Sequence, residues 1–306
     1  MEALEIIRKN DGIDKFETFI QENDSTLVVS ENGMEVIIYH MPKGLIGCFA
    51  PISEETIESY SILDGKIKLD DQIEDQILET GDSFILKGIP FGIPFTVIED
   101  LTLVVSTNSI IYLSDKEKNQ KLCEIMNKVQ ASDGDTKDHC ERVKELCLSM
   151  IRYLPFDYRR TDELLLAARF HDCGKIMVPR EILIKPAKLD NAEYEIMKTH
   201  PYESYKIVKT YFKNDIADIV LQHHERIDGK GYPYGLAGDD ILFEAKIIAV
   251  ADAYDAMVTP RPYNRGKSIE EAIAELKRNA GTQFDEQCVE ALLQHLQMSV
   301  KAIESF

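Results

Sequence analysis

At 306 residues the chain is too long for one ordinary compact domain and suits two, each able to bury a core of its own. Hydrophobic content of 44% with 29% charged residues is that of a globular protein and excludes a disordered chain. A net charge of -19 argues against DNA, RNA or anionic-membrane binding, which rests on clustered Lys and Arg neutralising phosphate. A phosphate-bearing ligand would then need positive charge supplied locally, as bound metal ions do.

No apolar run approaches the roughly 18 to 20 residues that span a bilayer, and the start MEALEIIRKNDGIDKF lacks a signal-peptide layout, so a cytoplasmic location is expected. Residues from about 26 to 113 read as short strands: TLVVS, MEVIIYH, YSILDGKIKL, DSFILK, FTVI and LTLVVST, broken by turn signals such as Asp64-Gly65 and Gly81-Asp82. They predict an all-β small barrel or sandwich over residues 1-113. DKEKNQKLCEIMNKVQ reads as a linker helix within 114-133, joining a sensory or regulatory module to an effector. From 134 to 306 the pattern is helical, as in HCERVKELCLSMIRYL, where Val143, Leu146, Cys147, Met150, Ile151 and Leu154 recur at helical spacing. DELLLAARFHD, ESYKIVKTYF, DIADIVLQHHE, EAKIIAVADAYDAMV, IEEAIAELKRNA and EQCVEALLQHL extend it into an all-α bundle. The fold class expected is therefore α+β and multidomain. The six cysteines are scattered without CxxC pairs and read as reduced packing residues.

Five of the seven histidines fall between 139 and 224, each beside or within an apolar helical pattern. His139 precedes Val143 by four and Leu146 by seven, which puts it on the face its helix buries. His171 and Asp172 end a helix whose Leu164, Leu165 and Ala168 face inward. His223 and His224 close DIADIVLQ, and Asp252 sits inside the apolar stretch AVADA, where an unpaired carboxylate is expensive. One buried histidine is more often a hydrogen-bonded core residue than a ligand. Five histidines and two aspartates converging on one bundle are hard to satisfy without a cation, because imidazole and carboxylate are the groups divalent metals use.

The ordered series DHCERV, HDCGK, VPREILIKPAKL, MKTHP, HHERIDGKGYP, IIAVADAYDAM, RPYN and AGTQFD, from about 130 to 296, resembles the HD-GYP family of cyclic di-GMP phosphodiesterases, a branch of the HD superfamily. The resemblance implies an HD-type helical bundle with His139, His171, Asp172, His200, His223, His224 and Asp252 as metal ligands, and Asp172 bridging two ions. Asp135, one helical turn before His139, is either a helix N-cap, a common role for Asp, or the ligand of a third ion. Lys175 is implied as a catalytic cation for phosphate, alongside Asp172, and Tyr232, Asp255, Arg261 and Tyr263 as substrate contacts. Asn264 stands where a basic residue is frequent in the family. In GKGYP, Gly229 and Gly231 admit backbone shapes closed to other residues, Pro233 fixes the exit, and Tyr232 supplies an aromatic plane. In the family this loop is also linked to partner contacts. The β half resembles a small cupin-like barrel, with Phe91 and Phe95 where metal cupins place histidines. A sensory or dimerising module is expected there.

Two or three divalent ions, iron or manganese, are the implied cofactors. Two metals with Asp172 and Asp252 and neutral histidines leave about +2, and a third with Asp135 about +3, enough to meet two phosphodiester charges. The expected reaction opens cyclic di-GMP to linear pGpG, with GMP as the alternative end product. Rival readings are an HD hydrolase of another nucleotide, such as cyclic GMP-AMP, and a signalling protein that binds a ligand or partner without turnover. Loss of ligand residues would mark the last, and none is missing. The resemblance leaves room for a homodimer and for GGDEF-type or other signalling partners.

Overall fold

A computed structural model describes residues 14–17, 24–49, 55–69, 76–87, 93–109, 124–129, 131, 136–212, 215–260 and 265–304. Two compact units divide the chain: Met1–Glu124 with Tyr158–Asp162, and Ile125–Asp157 with Glu163–Phe306. No helix among the described residues is long and apolar enough to cross a membrane.

The first unit holds eight described strands, β1 (Asp14–Glu17), β2 (Asp24–Glu31), β3 (Met34–Met41), β4 (Ile46–Phe49), β5 (Ile57–Leu69), β6 (Gln76–Glu79), β7 (Ser83–Lys87) and β8 (Ile93–Thr107). All pair antiparallel in the order β1-β2-β3-β8-β5-β6, with β4 added to β8 and β7 to β5. Alternation of inward and outward residues, the signature of a sheet with one packed face, buries Ile37 and Met41 of β3, Tyr60 and Ile62 of β5, and Leu101, Leu103 and Val105 of β8. Three expectations need correction. The described strands form an open path with β1 and β6 at its ends, so the predicted barrel does not close among the described residues. FTVI and LTLVVST are one strand, β8. Asp64-Gly65 is no turn: β5 runs through it, and the register against β8 shifts between Ile62 and Ile67, an irregularity that bends the strand without ending it. Gly81-Asp82 does turn the chain between β6 and β7, with Asp82 N donating to Glu79 O at 2.9 Å.

In the second unit we number the helices α1 (Thr136–Ile151), α2 (Thr161–Phe170, whose first two residues belong to the other unit), α3 (Arg180–Leu183), α4 (Asn191–Met197), α5 (His200–Tyr211), α6 (Ile216–Gln222), α7 (Phe243–Val258), α8 (Ile269–Asn279) and α9 (Glu286–Glu304). Residues 124–129 are helical within the predicted linker, and the rest of it up to 123 lies outside the described residues. Helix α1 packs on α7 and α9, and α5 packs on α6 and on the short 3-10 helix Cys173–Met177. The apolar stripes do this: Val143, Cys147 and Met150 of α1 meet an interior that includes Ile247, Ile248 and Ala251 of α7. Each large side chain buried this way contributes roughly 1.5–3 kcal/mol. Helix α1 stops at Ile151, earlier than the predicted Leu154, because Pro155 disfavours helical conformation in the residue before it. The described cysteines, Cys48, Cys140, Cys147, Cys173 and Cys288, are all free thiols.

Candidate metal centre

A helix C-terminus leaves its last carbonyls without intrahelical partners. Three histidines use that fact in the same way. His171 follows α2 and its Nδ1–H donates to Ala168 O at 2.7 Å. His200 follows α4 and donates from Nδ1 to Met197 O at 2.8 Å. His223 follows α6 and donates from Nδ1 to Val220 O at 2.6 Å. A carbonyl can only accept, so each bond fixes the proton on Nδ1 and turns an Nε2 lone pair inward.

His139 is placed differently. It lies in the first turn of α1, where the unsatisfied backbone groups are N–H donors rather than carbonyls. Its Nδ1 instead meets Asp255 Oδ2 at 2.7 Å, and its Nε2 lies 3.1 Å from Asp252 Oδ1 and 3.9 Å from Asp172 Oδ2. Asp252 and Asp255 come from α7, three residues apart on one face.

These groups converge. Asp172 Oδ1 is 3.2 Å from His200 Nε2, and its Oδ2 is 3.5 Å from His171 Nε2 and 2.7 Å from Lys175 Nζ. His200 Nε2 and His223 Nε2 face each other at 3.4 Å. The His224 ring packs 4.1 Å from His223 and 5.0 Å from His200, centroid to centroid. Ligand atoms of His200, His223 and His224 lie within 4.8 Å of one another, and so do those of His139, His171 and Asp172.

Protons alone do not satisfy this cluster. His171 is fully buried and its Nε2 has no hydrogen-bond partner. His200 and His223 present lone pair to lone pair across 3.4 Å, a repulsive arrangement unless a proton or cation stands between them. Burial pushes His200 down to about 3, and burial first, then the neighbouring His224, pushes His223 well below its ordinary value; burial also lowers His224. All three are thus neutral donors at physiological pH. For Asp172 burial pulls upward, but Lys175 and His171 outweigh it and hold the carboxyl low. Burial likewise opposes ionisation of Asp252, and the hydrogen bond from His139 reverses that. Three neutral imidazoles beside ionised carboxylates, with the orphaned Nε2 of His171, which Asp172 makes more basic against the pull of burial, are a donor set that fits divalent cations.

Two glycines make the geometry possible. A Cβ on Gly174, in HDCGK, would stand 2.2 Å from His200 O and 2.3 Å from Ser204 N, so only glycine lets the 3-10 helix sit against the start of α5; its N–H donates to Ser204 Oγ at 2.7 Å. A Cβ on Gly231 would meet Arg226 N and Glu225 Cα at 2.5 Å, because the GKGYP loop folds back over HHER. Gly231 serves that close approach, while Gly229, at φ +72°, is the one in the left-handed region. The buried carboxylate of Glu225 accepts from Tyr234 N at 2.7 Å and Leu236 N at 3.0 Å, which holds the loop. Tyr232 thereby stands with its ring 4.8 Å from that of His224.

The structure therefore gathers His139, His171, Asp172, His200, His223, His224 and Asp252, with Lys175 on Asp172 and Tyr232 beside His224. Asp255, expected to touch substrate, stands against His139: it is 3% exposed and its oxygens accept from His139 and Arg142. Asp135, Arg261, Tyr263 and Asn264 lie outside the described residues. Arg142, Ser204 and Glu225 escaped sequence reasoning. Each stands three or four residues from a motif histidine or within HHER, but nothing in a charged or hydroxyl side chain shows that it faces inward.

Such a cluster is a histidine- and aspartate-rich candidate metal centre. Residues 123–288, more than half of the chain, match the family described as HD domain, and the chain belongs to that family, with the motif series of its HD-GYP branch. It is 36% identical over 194 residues to the cyclic di-GMP phosphodiesterase response regulator RpfG of Xanthomonas campestris, covering 62% of this chain and 50% of the relative. It is 38% identical over 177 residues to a cyclic di-GMP phosphodiesterase of Thermotoga maritima, covering 56% and 48%. With 3'3'-cGAMP-specific phosphodiesterase 2 of Vibrio cholerae identity is 30% over 260 residues, covering 81% and 48%. The chain spans about half the length of these curated relatives.

Proposed function

We propose that the chain is a metal-dependent phosphodiesterase that opens cyclic di-GMP to linear pGpG, with GMP as the alternative end product. The observation that carries this is the orphaned Nε2 of His171 within a ring of inward-facing imidazoles and ionised aspartates. His139, His171, Asp172, His200, His223, His224 and Asp252 would hold two divalent ions, iron or manganese, or three if Asp135 is a ligand and not a helix cap. Bound ions supply counter-charge for the phosphate and acidify a water molecule at neutral pH.

The chain's own residues do the rest. Asp172 binds and orients, with one oxygen toward His200 and the other toward His171 and Lys175. Lys175 places an ammonium at the cluster, where it can pair with a non-bridging phosphate oxygen. Tyr232 offers an aromatic plane for a nucleobase, with Arg261 and Tyr263 as further substrate contacts. In the same reading the first unit is a cupin-like sensory or dimerising module over residues 1-113, joined through a helical linker at 114-133 to the hydrolase at 134-306. The protein acts in the cytoplasm, as a homodimer or beside GGDEF-type partners docking at the GKGYP loop.

A second reading, hydrolysis of cyclic GMP-AMP, is favoured by one observation: the relative aligned over 81% of this chain is named for that substrate. Incubation of the Mn2+-loaded protein with cyclic di-GMP and, separately, 3'3'-cyclic GMP-AMP, followed by chromatographic separation, tests both. Linear pGpG from the first substrate and slower turnover of the second is the expected result. The reverse preference would replace the first reading with the second, and no product from either would end the enzyme reading.

A further inference from the structure

We propose that Asp255 and Arg142 form a positioning unit that fixes His139 in its metal-binding tautomer, an inference that rests on the metal-centre reading above. His171, His200 and His223 each donate to a carbonyl three residues back, at the end of the helix that precedes them, whereas His139, in the first turn of α1, meets a carboxylate instead. Its Nδ1 is held by Asp255 Oδ2 at 2.7 Å from another helix. Asp255 is in turn gripped by Arg142, whose Nε donates to Oδ1 at 2.7 Å and whose Nη2 donates to Oδ2 at 3.0 Å.

The spacing makes this a matched pair of helix faces. His139 and Arg142 are three apart on α1, and Asp252 and Asp255 are three apart on α7. The imidazole is therefore clasped between two carboxylates, Nε2 toward Asp252 and Nδ1 toward Asp255, and among the described residues a guanidinium pairs with Asp255, that of Arg142. That guanidinium neutralises Asp255, so Asp255 orients the ring while Asp252 keeps its charge for a cation. A bidentate fork is needed for this, because it pins both oxygens in one plane. At 3% exposure Asp255 accepts one hydrogen bond at Oδ1 and two at Oδ2, all from protein groups, which suits an orienting role.

Calorimetric titration of the metal-free, full-length protein with Mn2+ tests the proposal. Asp255→Asn is expected to weaken Mn2+ binding about 10- to 100-fold, the range for losing a group that orients a metal-binding histidine. Arg142→Met should weaken it less, Arg142→Lys should restore part of that loss, and the double variant should bind no more weakly than Asp255→Asn, because Arg142 acts through Asp255. Should Asp255→Asn lose its cooperative melt, Arg142→Met and Arg142→Lys, at a half-buried position, decide the matter. Wild-type affinity in Arg142→Met, or losses that simply add in the double variant, overturns the positioning unit and leaves the metal centre standing. Failure of the wild type to bind Mn2+ overturns both.

Discussion

The two units bury polar chemistry on opposite terms. Inside the sheet, Phe49, Tyr60, Phe84 and Phe95 pack ring to ring, with centroids 4.2 Å apart for Phe49 and Phe95 and 4.6 Å for Tyr60 and Phe84, and the Tyr60 hydroxyl donates to Glu58 at 2.6 Å. The sheet's histidine, His40, is exposed and bonds to Thr102. Inside the helical unit, four imidazoles and the carboxylates of Asp172 and Asp255 are buried, and one nitrogen has no partner. Among the described residues of the sheet, no buried side-chain nitrogen or oxygen lacks a partner. The helical interior is built around something the chain does not supply, and stability and function separate along that line.

The widest break in this contrast comes from Asp172→Asn. It removes the carboxylate that touches His171, His200 and Lys175, so phosphodiester turnover and Mn2+ affinity should each fall by more than about 100-fold, beyond the range for outer partners alone. Calorimetry and product analysis measure the two losses. Phe95→Ala is the counterpart in the sheet: it removes a buried ring stacked on Phe49 and should cost about 3–5 kcal/mol in urea unfolding of that unit. Its Mn2+ affinity should match wild type. A large loss of affinity in Phe95→Ala would show that the interiors are not independent.

Much of the helical unit was legible in the sequence because the relevant signals are local. Helical spacing put His139 on a buried face, and motif histidines at helix ends find their carbonyls three residues back, a distance read along the chain. What escaped was the long-range pairing. Arg142 and Asp255 are 113 positions apart, and each alone reads as an ordinary charged residue, so the assignment of Asp255 to the substrate followed resemblance and not contact. In the sheet, Asp64-Gly65 carries a turn composition but lies between inward residues Ile62 and Ile67, whose burial keeps the strand going through an irregular register. Local turn chemistry lost there to packing on both sides.

A pH series sharpens the contrast within the helical unit. Burial lowers His139, but hydrogen bonds to Asp252 and Asp255 outweigh it and lift the group from 6.5 to about 9. A raised value means the metal-free fold is helped in full below about 6.5 and loses that help as pH climbs through about 9. The metal-free protein should therefore melt at a lower temperature at pH 9.5 than at pH 7. Mn2+ competes with the proton on the same ring, so its affinity should rise over this interval and the loaded protein should not show the decline. A melting temperature of the metal-free protein that is flat from pH 7 to 9.5 would count against the clasp on His139.

The smallest effect separates two helix caps of equal local worth. Asp190 caps α4 in a reciprocal box with Glu193, and Ser268 caps α8 in the same way with Glu271. Alanine at either should cost about 1 kcal/mol. The helices differ in what they carry: α4 ends at Met197, whose carbonyl holds His200, whereas no centre residue stands on or follows α8 in this way. Thermal melts should shift similarly for Asp190→Ala and Ser268→Ala, but only Asp190→Ala should weaken Mn2+ binding, by a few-fold at most. Equal Mn2+ affinity in the two variants would mean that the last turn of α4 holds His200 whether or not its start is capped, and that the helix end, not the helix, is the unit that aims the imidazole.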